Sequence, residues 1–551
     1  MQSDLSLCKL LVGGIRLSLD DDDEQAIEHA LRKLKKSGIR SVPASCRIYK
    51  KSIDARRRDD LHFVCVVLAT FSQEVQLPSA EVLESAGIRL LKEESLDLSF
   101  GTAPMPGHPM IVGMGPAGLF SALLLAENGY APILIDRGSS VEERVRDTER
   151  LFREGMLDPD SNVQFGAGGA GTFSDGKLVT RIRDPLCRLV LETFVHFGAP
   201  EEILVKAKPH VGTDLLRGVV SGMLSEIERL GGRVIYRCRL LDFTECADGS
   251  VTAHTTKGDF SCGALILAIG HSARDTYIKL LEKSFLLEPK PISVGVRVEH
   301  LQSEIDEALY GRFAGHPKLG HAEYALSDTR GERGVYTFCM CPGGEVVAAA
   351  SEEGGLVVNG MSRHARDGRN ANAAVAVSVE PSDIPPVEGS PILGAIAFQR
   401  KLERAAFASG GGDYVAPIMT LGDFLTEKRG TEPFRILPSY RGGMVKVSDF
   451  ASIYPEFVLR GLRYGFASFG KQLKGYDTPD AVLTAAETRT SAPLRILRDP
   501  ILRTALGHPS VYPCGEGAGY AGGITSAAVD GMRSALEIMK RYAPMKGEDT
   551  L

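Results

Sequence analysis

Residues 110–138, MIVGMGPAGLFSALLLAENGYAPILIDRG, decide the fold of this chain. Gly113, Gly115 and Gly118 form the pattern G-x-G-x-x-G directly after an apolar strand, and an apolar helical pattern follows the third glycine. Such glycines permit a tight turn, close approach of the backbone to a pyrophosphate, and packing of the helix on the strand. A second apolar strand ends in Asp136, about 20 residues after the first glycine, where an acid accepts hydrogen bonds from ribose hydroxyls. The stretch therefore predicts a β-α-β unit that binds a dinucleotide.

The same glycine spacing recurs at two other places: Gly166, Gly168 and Gly171, and Gly517, Gly519 and Gly522. The first recurrence follows a stretch too polar for a buried parallel strand, and the second is followed by too few residues for a complete β-α-β unit. Five glycines within 162–178 bury almost nothing, so this loop is predicted to present backbone N–H groups to a flat or anionic ligand. The alternative is a merely flexible loop. We expect both recurrences to be ligand loops and not a second nucleotide fold.

Composition indicates an ordinary globular protein. The chain has 551 residues, of which 43% are hydrophobic and 24% charged, and this length suggests two to four domains. A net charge of -6 gives no general attraction to nucleic acids or acidic membranes. Neither a signal-peptide pattern nor an apolar run of ~18 residues occurs, so a cytoplasmic location without membrane association is expected. Ten cysteines without a C-x-x-C pair predict reduced thiols and no metal site.

Residues 1–98 show strand, helix, strand, strand, helix and strand in that order, which predicts a ferredoxin-like α+β domain. A linker rich in proline and glycine follows at 99–109. The stretch 50–60, KKSIDARRRDD, is locally basic, and a basic patch is one mark of RNA-binding domains. Its aspartates dilute the charge, and the strands lack the paired aromatic residues that stack on bases. A solvated hairpin is therefore favoured over a nucleic-acid site.

The fold class predicted for the chain is α/β, with a discontinuous Rossmann-type domain at 110–290 and 493–551. From 291 to 492, strand-like runs separated by turns rich in glycine and proline predict an inserted, mainly antiparallel substrate domain. The last segment returns to a short strand, a glycine loop and a long amphipathic helix. This return indicates that the chain re-enters the first domain.

Seven sequence blocks occur in order: VGMGPAGLF, FGAGGAGTFSDGKL, LAIGHSARDTY, FCMCPGGEVV, NGMSRHARDGRNANAA, ETRTSAPLRI and YPCGEGAGYAGGITSAAVDG. Together they resemble a bacterial family of uncharacterised FAD-dependent (NAD(FAD)-utilising) dehydrogenases with a glutathione-reductase-like FAD fold. The resemblance implies FAD as cofactor, with NAD(P)H as a transient electron donor that has no dedicated domain. The residues expected to bind FAD are Gly113, Gly115, Pro116, Ala117, Gly118, Asp136, Arg137, Gly168, Gly169, Gly515, Glu516, Gly523, Ile524 and Thr525.

Three residues are candidates for catalysis. Arg489 has the charge to clamp a substrate carboxylate, and Glu487 is either part of the site or the salt-bridge partner of Arg489. His271 follows an apolar strand and is either a proton donor or acceptor during hydride transfer or a structural histidine. The stretch 362–374, SRHARDGRNANAA, is either a polar wall of the substrate pocket or an exposed loop.

Cys339 and Cys341 form C-x-C on a predicted strand, which places both side chains on one face. Cys514 lies at the end of another strand, beside a glycine loop. Free cysteine is among the most buried residue types, so packing is favoured over redox activity for all three.

The leading hypothesis is an FAD-dependent oxidoreductase that transfers a hydride between flavin N5 and a small organic substrate, in a pocket between the FAD and inserted domains. One alternative is a flavin-containing RNA-modifying or RNA-binding protein with the N-terminal domain as adaptor. Another is a non-catalytic flavin redox sensor. The sequence leaves the substrate, the direction of electron flow and the oligomeric state open.

Overall fold

The computed structural model describes residues 8–92, 96, 98–428 and 430–545, and the chain divides into two compact units. The smaller unit comprises 1–97, 200–210 and 306–322, and the larger unit comprises 98–199, 211–305 and 323–551. The ends of the predicted first and last domains, at 1–7, 93–95, 97 and 546–551, lie outside the described residues. None of the helices in the described part of the chain is long and apolar enough to cross a membrane.

The smaller unit contains the ferredoxin-like fold that the sequence predicts. Its elements are β1 (Cys8–Leu17), α1 (Asp23–Lys36), β2 (Ser45–Asp54), β3 (His62–Phe71), α2 (Ala80–Ser85) and β4 (Ile88–Leu90). The sheet has the order β2-β3-β1-β4 with antiparallel neighbours throughout. Helix α1 begins with acids, ends with lysines and buries Ala26, Ala30 and Leu34, as its amphipathic pattern predicts.

Two later segments of the chain also belong to the smaller unit, and sequence patterns did not predict them. The Lys51 N–H donates to the Val205 carbonyl at 2.9 Å, and the Ala207 N–H donates to the Lys51 carbonyl at 2.9 Å. These bonds extend the sheet beyond β2. In the second segment, Lys318 Nζ donates to the Asp21 carbonyl oxygen at 2.9 Å.

The basic stretch at 50–60 is matched by acids within the same unit. Arg56 Nε donates to Asp54 Oδ1 at 2.9 Å, and Lys51 Nζ lies 2.7 Å from Asp23 Oδ1. The charge of this hairpin is therefore partly neutralised by its own surroundings, as expected for a solvated hairpin.

The larger unit begins with a segment rich in parallel strands. Its elements are β5 (Pro109–Val112), α3 (Pro116–Glu127), β6 (Ile133–Ile135), α4 (Val141–Glu154), α5 (Leu186–His196), α6 (Thr213–Arg229), β7 (Arg233–Ile235), β8 (Leu240–Glu245), β9 (Val251–Thr255), β10 (Gly258–Cys262), β11 (Ala264–Leu267), α7 (Arg274–Glu282) and β12 (Leu287–Pro289).

The second stretch of the chain is rich in antiparallel strands. Its elements are β13 (Ile292–Leu301), α8 (Gln302–Tyr310), β14 (Ser327–Asp328), β15 (Val335–Cys341), β16 (Glu345–Ala348), β17 (Val358–Met361), β18 (Asn370–Val379), α9 (Pro391–Gly410), β19 (Ala416–Thr420), α10 (Leu421–Thr426), β20 (Val445–Val447), α11 (Glu456–Gln472) and β21 (Val482–Glu487). The chain then ends with β22 (Leu494–Ile496), β23 (Val511–Pro513) and α12 (Ile524–Arg541).

A five-stranded parallel sheet of order β23-β11-β5-β6-β7 forms the Rossmann-type part of the larger unit. Strand β23 comes from the end of the chain and pairs with β11, which confirms that the Rossmann-type fold is discontinuous. Helix α3 is buried on all sides from Ala117 to Ala126, so its pattern is more apolar than that of a surface helix.

A seven-stranded sheet of order β14-β15-β18-β13-β21-β19-β20 forms the inserted part. All of its strand pairs are antiparallel except β19 with β20, as the strand-like texture of this stretch predicts. Its central strands β13 and β18 are buried along almost their whole length.

Candidate functional site

Four neighbouring parallel strands each end in a polar or glycine-rich turn at the same edge of the sheet. Strand β5 leads to Gly113, β6 to Asp136, β11 to Gly270 and β23 to Gly515. Because the carboxyl ends of parallel strands lie at the same edge, these turns meet where ligands bind in open α/β sheets.

The three glycines of the first motif meet different steric demands. Gly113 has a φ of +106°, and a Cβ there would collide with the Ala268 carbonyl. A Cβ on Gly118 would collide with the Gly113 carbonyl, so α3 packs directly on the turn. At Gly115 the nearest atom to an added Cβ is Gly169 Cα at 3.8 Å, which leaves space beside the backbone. This space adjoins the N-terminus of α3, where free N–H groups attract anions.

Asp136 braces the turn that carries the first motif. Its side chain is buried, Oδ2 accepts a hydrogen bond from the Met114 N–H at 2.8 Å, and Oδ1 accepts one from the Gly138 N–H at 2.8 Å. The carboxylate thus fixes the backbone on both sides of the predicted nucleotide site. Its bond to a ribose stays a prediction.

The second glycine motif packs against the first and against the last helix. The Gly168 N–H donates to the Met114 carbonyl at 2.8 Å, and a Cβ on Gly171 would lie 3.0 Å from the Ile524 side chain. The loop contains a short 3₁₀ turn at Ala170–Phe173 and otherwise no regular helix or strand, as predicted. The two motifs therefore form parts of one site.

The third glycine segment closes on the same helix terminus. A Cβ on Gly515 would lie 2.8 Å from Ala117 Cβ, in the first turn of α3 beside Pro116. The Gly515 N–H donates to Asp530 Oδ2 at 2.7 Å, and Arg498 holds that carboxylate at 2.7 Å. Asp530 lies on α12 and is a supporting residue that the motif search missed.

Glu516 is the next residue after Gly515, and the pKa of its carboxyl group is raised above the ordinary value. Burial raises the pKa of Glu516 to about 7, with Cys339 adding to the rise and Lys290 opposing it. A carboxyl group with such a pKa exchanges protons near neutrality.

The N-terminus of α12 completes the glycine-lined edge. Gly523 is its N-cap and provides no side-chain hydrogen bond to cap the helix. The Thr525 hydroxyl donates to the Leu178 carbonyl at 2.8 Å, which joins the helix to the second glycine segment. Ile524 lines a small apolar recess next to Pro116.

Arg144 is the main residue of this region that sequence reasoning missed. Its side chain is fully buried, and burial lowers the pKa of Arg144 to about 9. The guanidinium donates to five backbone carbonyl oxygens of the second glycine segment: Asn162 (2.9 Å), Val163 (3.0 Å), Gly166 (3.3 Å), Ala167 (2.7 Å) and Gly169 (2.9 Å). It forms no ion pair with a carboxylate of the described residues. Arg144 therefore shapes the loop and leaves a buried positive charge beneath it.

Arg137, another predicted cofactor residue, lies at the outer rim. Its Nη2 donates to Asp275 Oδ1 at 2.8 Å, and its guanidinium stacks 4.3 Å from the centre of the Phe165 ring. These contacts fix the turn that follows Asp136.

His271 lies after β11, where the sequence predicts it. Its Nδ1 is 2.9 Å from the Ser272 hydroxyl, which in turn donates to Gln164 Oε1 at 3.2 Å. Burial, followed by Arg489 and Arg274, lowers the pKa of His271 to about 4. The ring is therefore neutral at pH 7.

The predicted pairing of Glu487 with Arg489 is wrong. Glu487 accepts from Arg297, with 2.9 Å between Oε2 and Nε, because β21 and β13 are neighbours in the antiparallel sheet. Arg489 instead donates to Glu403, with 3.1 Å between Nε and Oε1.

The guanidinium of Arg489 is occupied by this arrangement. Besides Glu403 it contacts the Ser351 hydroxyl, and Arg274 binds the same Glu403 carboxylate with Nη2 2.8 Å from Oε1. All three charged side chains of this cluster are buried. In the described structure Arg489 thus serves a closed ion-pair cluster, and its role as a substrate clamp stays a prediction.

A cavity of about 370 Å³ lies in the inserted part of the larger unit. Its lining residues are Gly343, Gly344, Glu345, Met361, Ser362, Arg363, Asp367, Gly368, Arg369, Asn370, Leu437 and Ser439. Half of them belong to the stretch 362–374, so this stretch lines the cavity. Its role as a wall of the substrate pocket stays a prediction. Below it, the buried Glu299 carboxylate accepts hydrogen bonds from Asn370 Nδ2 at 2.9 Å and from the Ser439 N–H at 3.1 Å.

The arrangement at the sheet edge fits a dinucleotide. Gly115 leaves space at a helix N-terminus, Arg144 supplies a buried positive charge without a carboxylate in contact, and Asp136 stands at the end of β6. A pyrophosphate is the anion that such a set of donors accommodates.

Comparison with solved structures gives weak likenesses to flavoproteins. The chain is similar to CmlS, a flavin-dependent halogenase, with 13% identity, a TM-score of 0.35, and coverage of 81% of this chain and 60% of that chain. It is also similar to glycine oxidase from Geobacillus kaustophilus, with 10% identity, a TM-score of 0.32, and coverage of 78% and 92%. Likenesses of this strength assign no reaction.

Sequence comparison is more specific. Residues 13–70 match a domain of unknown function (DUF8436), and residues 291–490 match the model described as "FAD-dependent protein, C-terminal domain-like". A protein of Clostridium beijerinckii, itself described as uncharacterised, is 44% identical over 534 residues, which cover 96% of this chain and 98% of the relative. These matches confirm FAD as cofactor. The chain belongs to this uncharacterised family of FAD-dependent proteins.

Proposed function

We propose that this protein is an FAD-dependent oxidoreductase that transfers a hydride between flavin N5 and a small organic substrate. The observation that carries the proposal is the meeting of three glycine segments at one sheet edge, next to an arginine that contacts no carboxylate among the residues that the structure describes. When bound, FAD supplies a two-electron acceptor or donor at this edge.

Different residues of the chain would hold different parts of FAD. Gly115 gives the pyrophosphate access to the N–H groups of α3, and Arg144 balances the charge of the pyrophosphate from below the loop. Asp136 keeps the turn in place and would accept hydrogen bonds from the adenosine ribose. Gly523 begins α12, whose positive end stabilises negative charge at the pyrimidine edge of the flavin.

The cavity of about 370 Å³ is the proposed substrate pocket. Its volume is within the range of small-molecule sites. Arg363 is exposed on its wall, and Arg369 lies nearby, so an anionic group on the substrate would be attracted there. Arg363 is a better candidate for this contact than Arg489, whose guanidinium is held by Glu403 and Ser351.

His271 is the proposed proton carrier. Its ring is neutral at pH 7, so Nε2 has a free lone pair that can accept a proton from a substrate hydroxyl or amine. Its pKa of about 4 makes it a weak base that releases the proton readily. The Ser272 hydroxyl and Gln164 orient the ring through the contact at Nδ1. Nε2 is the atom left for proton transfer.

The first experiment measures cofactor binding. The purified protein is expected to show flavin absorbance, and Gly115→Asp is expected to abolish it because a carboxylate would face the pyrophosphate. Gly218→Asp is the matched control, since an added Cβ on that glycine of α6 meets no atom within 4 Å. A colourless wild-type protein that binds no added FAD would overturn the proposal.

The second experiment tests transfer. The reduced protein is mixed without oxygen with panels of organic acceptors, and the oxidised protein with NADH, NADPH and organic donors, while flavin absorbance is followed. A donor deuterated at the reacting carbon should slow flavin reduction. Flavin that exchanges electrons with none of these compounds would favour a redox sensor.

A further inference from the structure

Cys339 and Cys341 lie where β15 loses its regular pairing. The register with β18 shifts between Phe338 and Cys341, and Cys339 has a φ of +44°. This left-handed conformation is costly for a residue with a side chain and persists only where surrounding structure enforces it. Two cysteines that merely filled a sheet would need no such kink.

The kink changes what the two thiols can do. Two residues of an extended strand span up to ~7 Å, which is at the limit of the Cα separation that a disulfide tolerates. A bulge shortens this separation. The Cys341 thiol already donates to the Cys339 carbonyl oxygen at 3.3 Å, which places the Cys341 sulfur next to the backbone of Cys339.

Two cations hold the bulge. Arg297 Nη1 donates to the Cys339 carbonyl at 3.1 Å, and Lys177 Nζ donates to the Met340 carbonyl. The Cys341 thiol, followed by Arg297 and Lys177, lowers the pKa of Cys339 against the effects of burial and Glu487, whereas the pKa of Cys341 is raised. The opposite directions of the two shifts favour the thiolate at Cys339 over one at Cys341, and a thiolate beside a thiol is the state that reacts in disulfide chemistry.

The surroundings connect this pair to the glycine-lined edge. Lys177 belongs to the second glycine segment, and Glu516, in the third, lies close enough that Cys339 contributes to the rise in its pKa. Cys339 is half-buried and Cys341 is buried, so a small reactant or cofactor reaches the first and not the second.

We propose that Cys339 and Cys341 form a redox-active dithiol that exchanges two electrons with the bound flavin. The proposal rests on the proposed function, because it requires FAD at the glycine-lined edge. In one direction the Cys339 sulfur bonds to the Cys341 sulfur and the S–H bond of Cys341 breaks. Two electrons and that proton pass to oxidised FAD, which gives a disulfide and singly protonated, anionic reduced FAD. The reverse direction returns the Cys339 thiolate and the Cys341 thiol, so atoms and charge balance without a further reactant.

The test is an anaerobic dithionite titration of the holoprotein after oxidation by glutathione disulfide. The wild type is expected to accept about two electrons more per flavin than Cys339→Ser or Cys341→Ser. Cys514→Ser and Cys246→Ser are the controls, one for a buried thiol and one for an exposed thiol, and should keep the wild-type count. Peptide mapping without reductant should find one peptide with Cys339 bonded to Cys341.

A second readout does not use the flavin. Iodoacetamide at pH 7 should modify Cys339 about tenfold faster than the exposed Cys246, because the thiolate is the nucleophile. A yellow protein whose electron count is the same in wild type and both variants would overturn the dithiol alone. A protein that binds no FAD would overturn both the proposed function and the exchange.

Discussion

Two regions of the larger unit bury arginine in opposite ways. Arg274 and Arg489 share the buried carboxylate of Glu403, at 2.8 Å and 3.1 Å, so each guanidinium has an anionic partner within the protein. Arg144 is equally buried, but within the described residues its guanidinium bonds to backbone carbonyl oxygens and packs on the Phe173 ring, with no carboxylate in contact. In the first arrangement both guanidinium groups are paired with a carboxylate, whereas the second leaves a buried positive charge that an anionic ligand could pair with.

The pKa shifts follow this difference. Burial would raise the pKa of Glu403, but Arg489 and Arg274 hold it well below its usual range. At Arg144 burial lowers the pKa to about 9, and neighbouring acids only partly offset the effect. The proposed pyrophosphate would therefore stabilise the second region and have no comparable effect on the first. A buried arginine beside glycine-rich backbone thus indicates an anion site, and a buried arginine paired with a carboxylate indicates a structural ion pair.

Glu403→Gln should have the largest effect on stability. It leaves two buried guanidinium groups without their shared anion, and breaking a buried pair costs about 3–5 kcal/mol. Denaturant unfolding of the purified protein measures the loss. Glu352→Gln is the control, since this partner of Arg274 is half-exposed and should cost about 1 kcal/mol or less. Equal losses in both variants would contradict the idea of a closed cluster around Glu403.

Arg144→Met should act mainly on FAD. It removes the buried charge and the bonds that shape the second glycine segment, so FAD affinity should fall about 100-fold, or about 3 kcal/mol. Equilibrium dialysis or fluorescence of released FAD measures the affinity. Arg217→Met is the matched control, because Arg217 packs on the same Phe173 ring, at 5.1 Å against 4.7 Å for Arg144. Unchanged affinity in Arg144→Met would remove the distinction between the two regions.

Much of the fold was predictable because it follows from local periodicity. The β-α-β-β-α-β order of the small unit and the return of the chain to the parallel sheet both rest on alternating or helical apolar patterns. The two segments at 200–210 and 306–322 that join the smaller unit were not predictable in this way. The first joins through backbone bonds such as that between Ala207 and Lys51, and the second through side-chain bonds such as that from Lys318 to the Asp21 carbonyl. Such bonds leave no apolar pattern.

The site was predictable only in part. Parallel strands bring their carboxyl ends together, so the meeting of the three glycine segments could be expected from the sequence. The partner of Glu487 could not, because Arg297 lies 190 residues away and is brought near by sheet register. Arg144 gave a signal that was overlooked: it shares the buried face of α4 with Val141, Thr148 and Leu151. A charged residue on an apolar helical face can indicate a functional site as clearly as a glycine motif does.

Asp136→Asn should have a smaller effect than Arg144→Met. The amide keeps one acceptor for the Met114 or Gly138 N–H, while its NH₂ group opposes the other donor, so FAD affinity should fall about tenfold. The same binding measurement applies. Asp275→Asn, which changes only the exposed partner of Arg137, is the control and should leave affinity within about twofold. A loss as large as that of Arg144→Met would mean that the ribose side dominates binding.

The smallest predicted effect is a loss of stability in mild acid through His271, which belongs to the region of Arg274 and Arg489 and not to that of Arg144. His271 faces Arg274 and Arg489, and its pKa is about 4 in the folded protein against an ordinary value of 6.5. Between these values the unfolded chain binds more protons, so the free energy of unfolding falls as pH falls. From pH 7 to pH 6 the contribution of this half-buried ring should be about 1 kcal/mol or less. Denaturant unfolding at both pH values should show a weaker pH dependence in His271→Gln than in the control His254→Gln, a surface histidine beside Asp259. If the pH dependence is the same in both variants, the lowered pKa of His271 does not contribute to the loss of stability in acid. The two arginines would then not be what keeps the ring neutral.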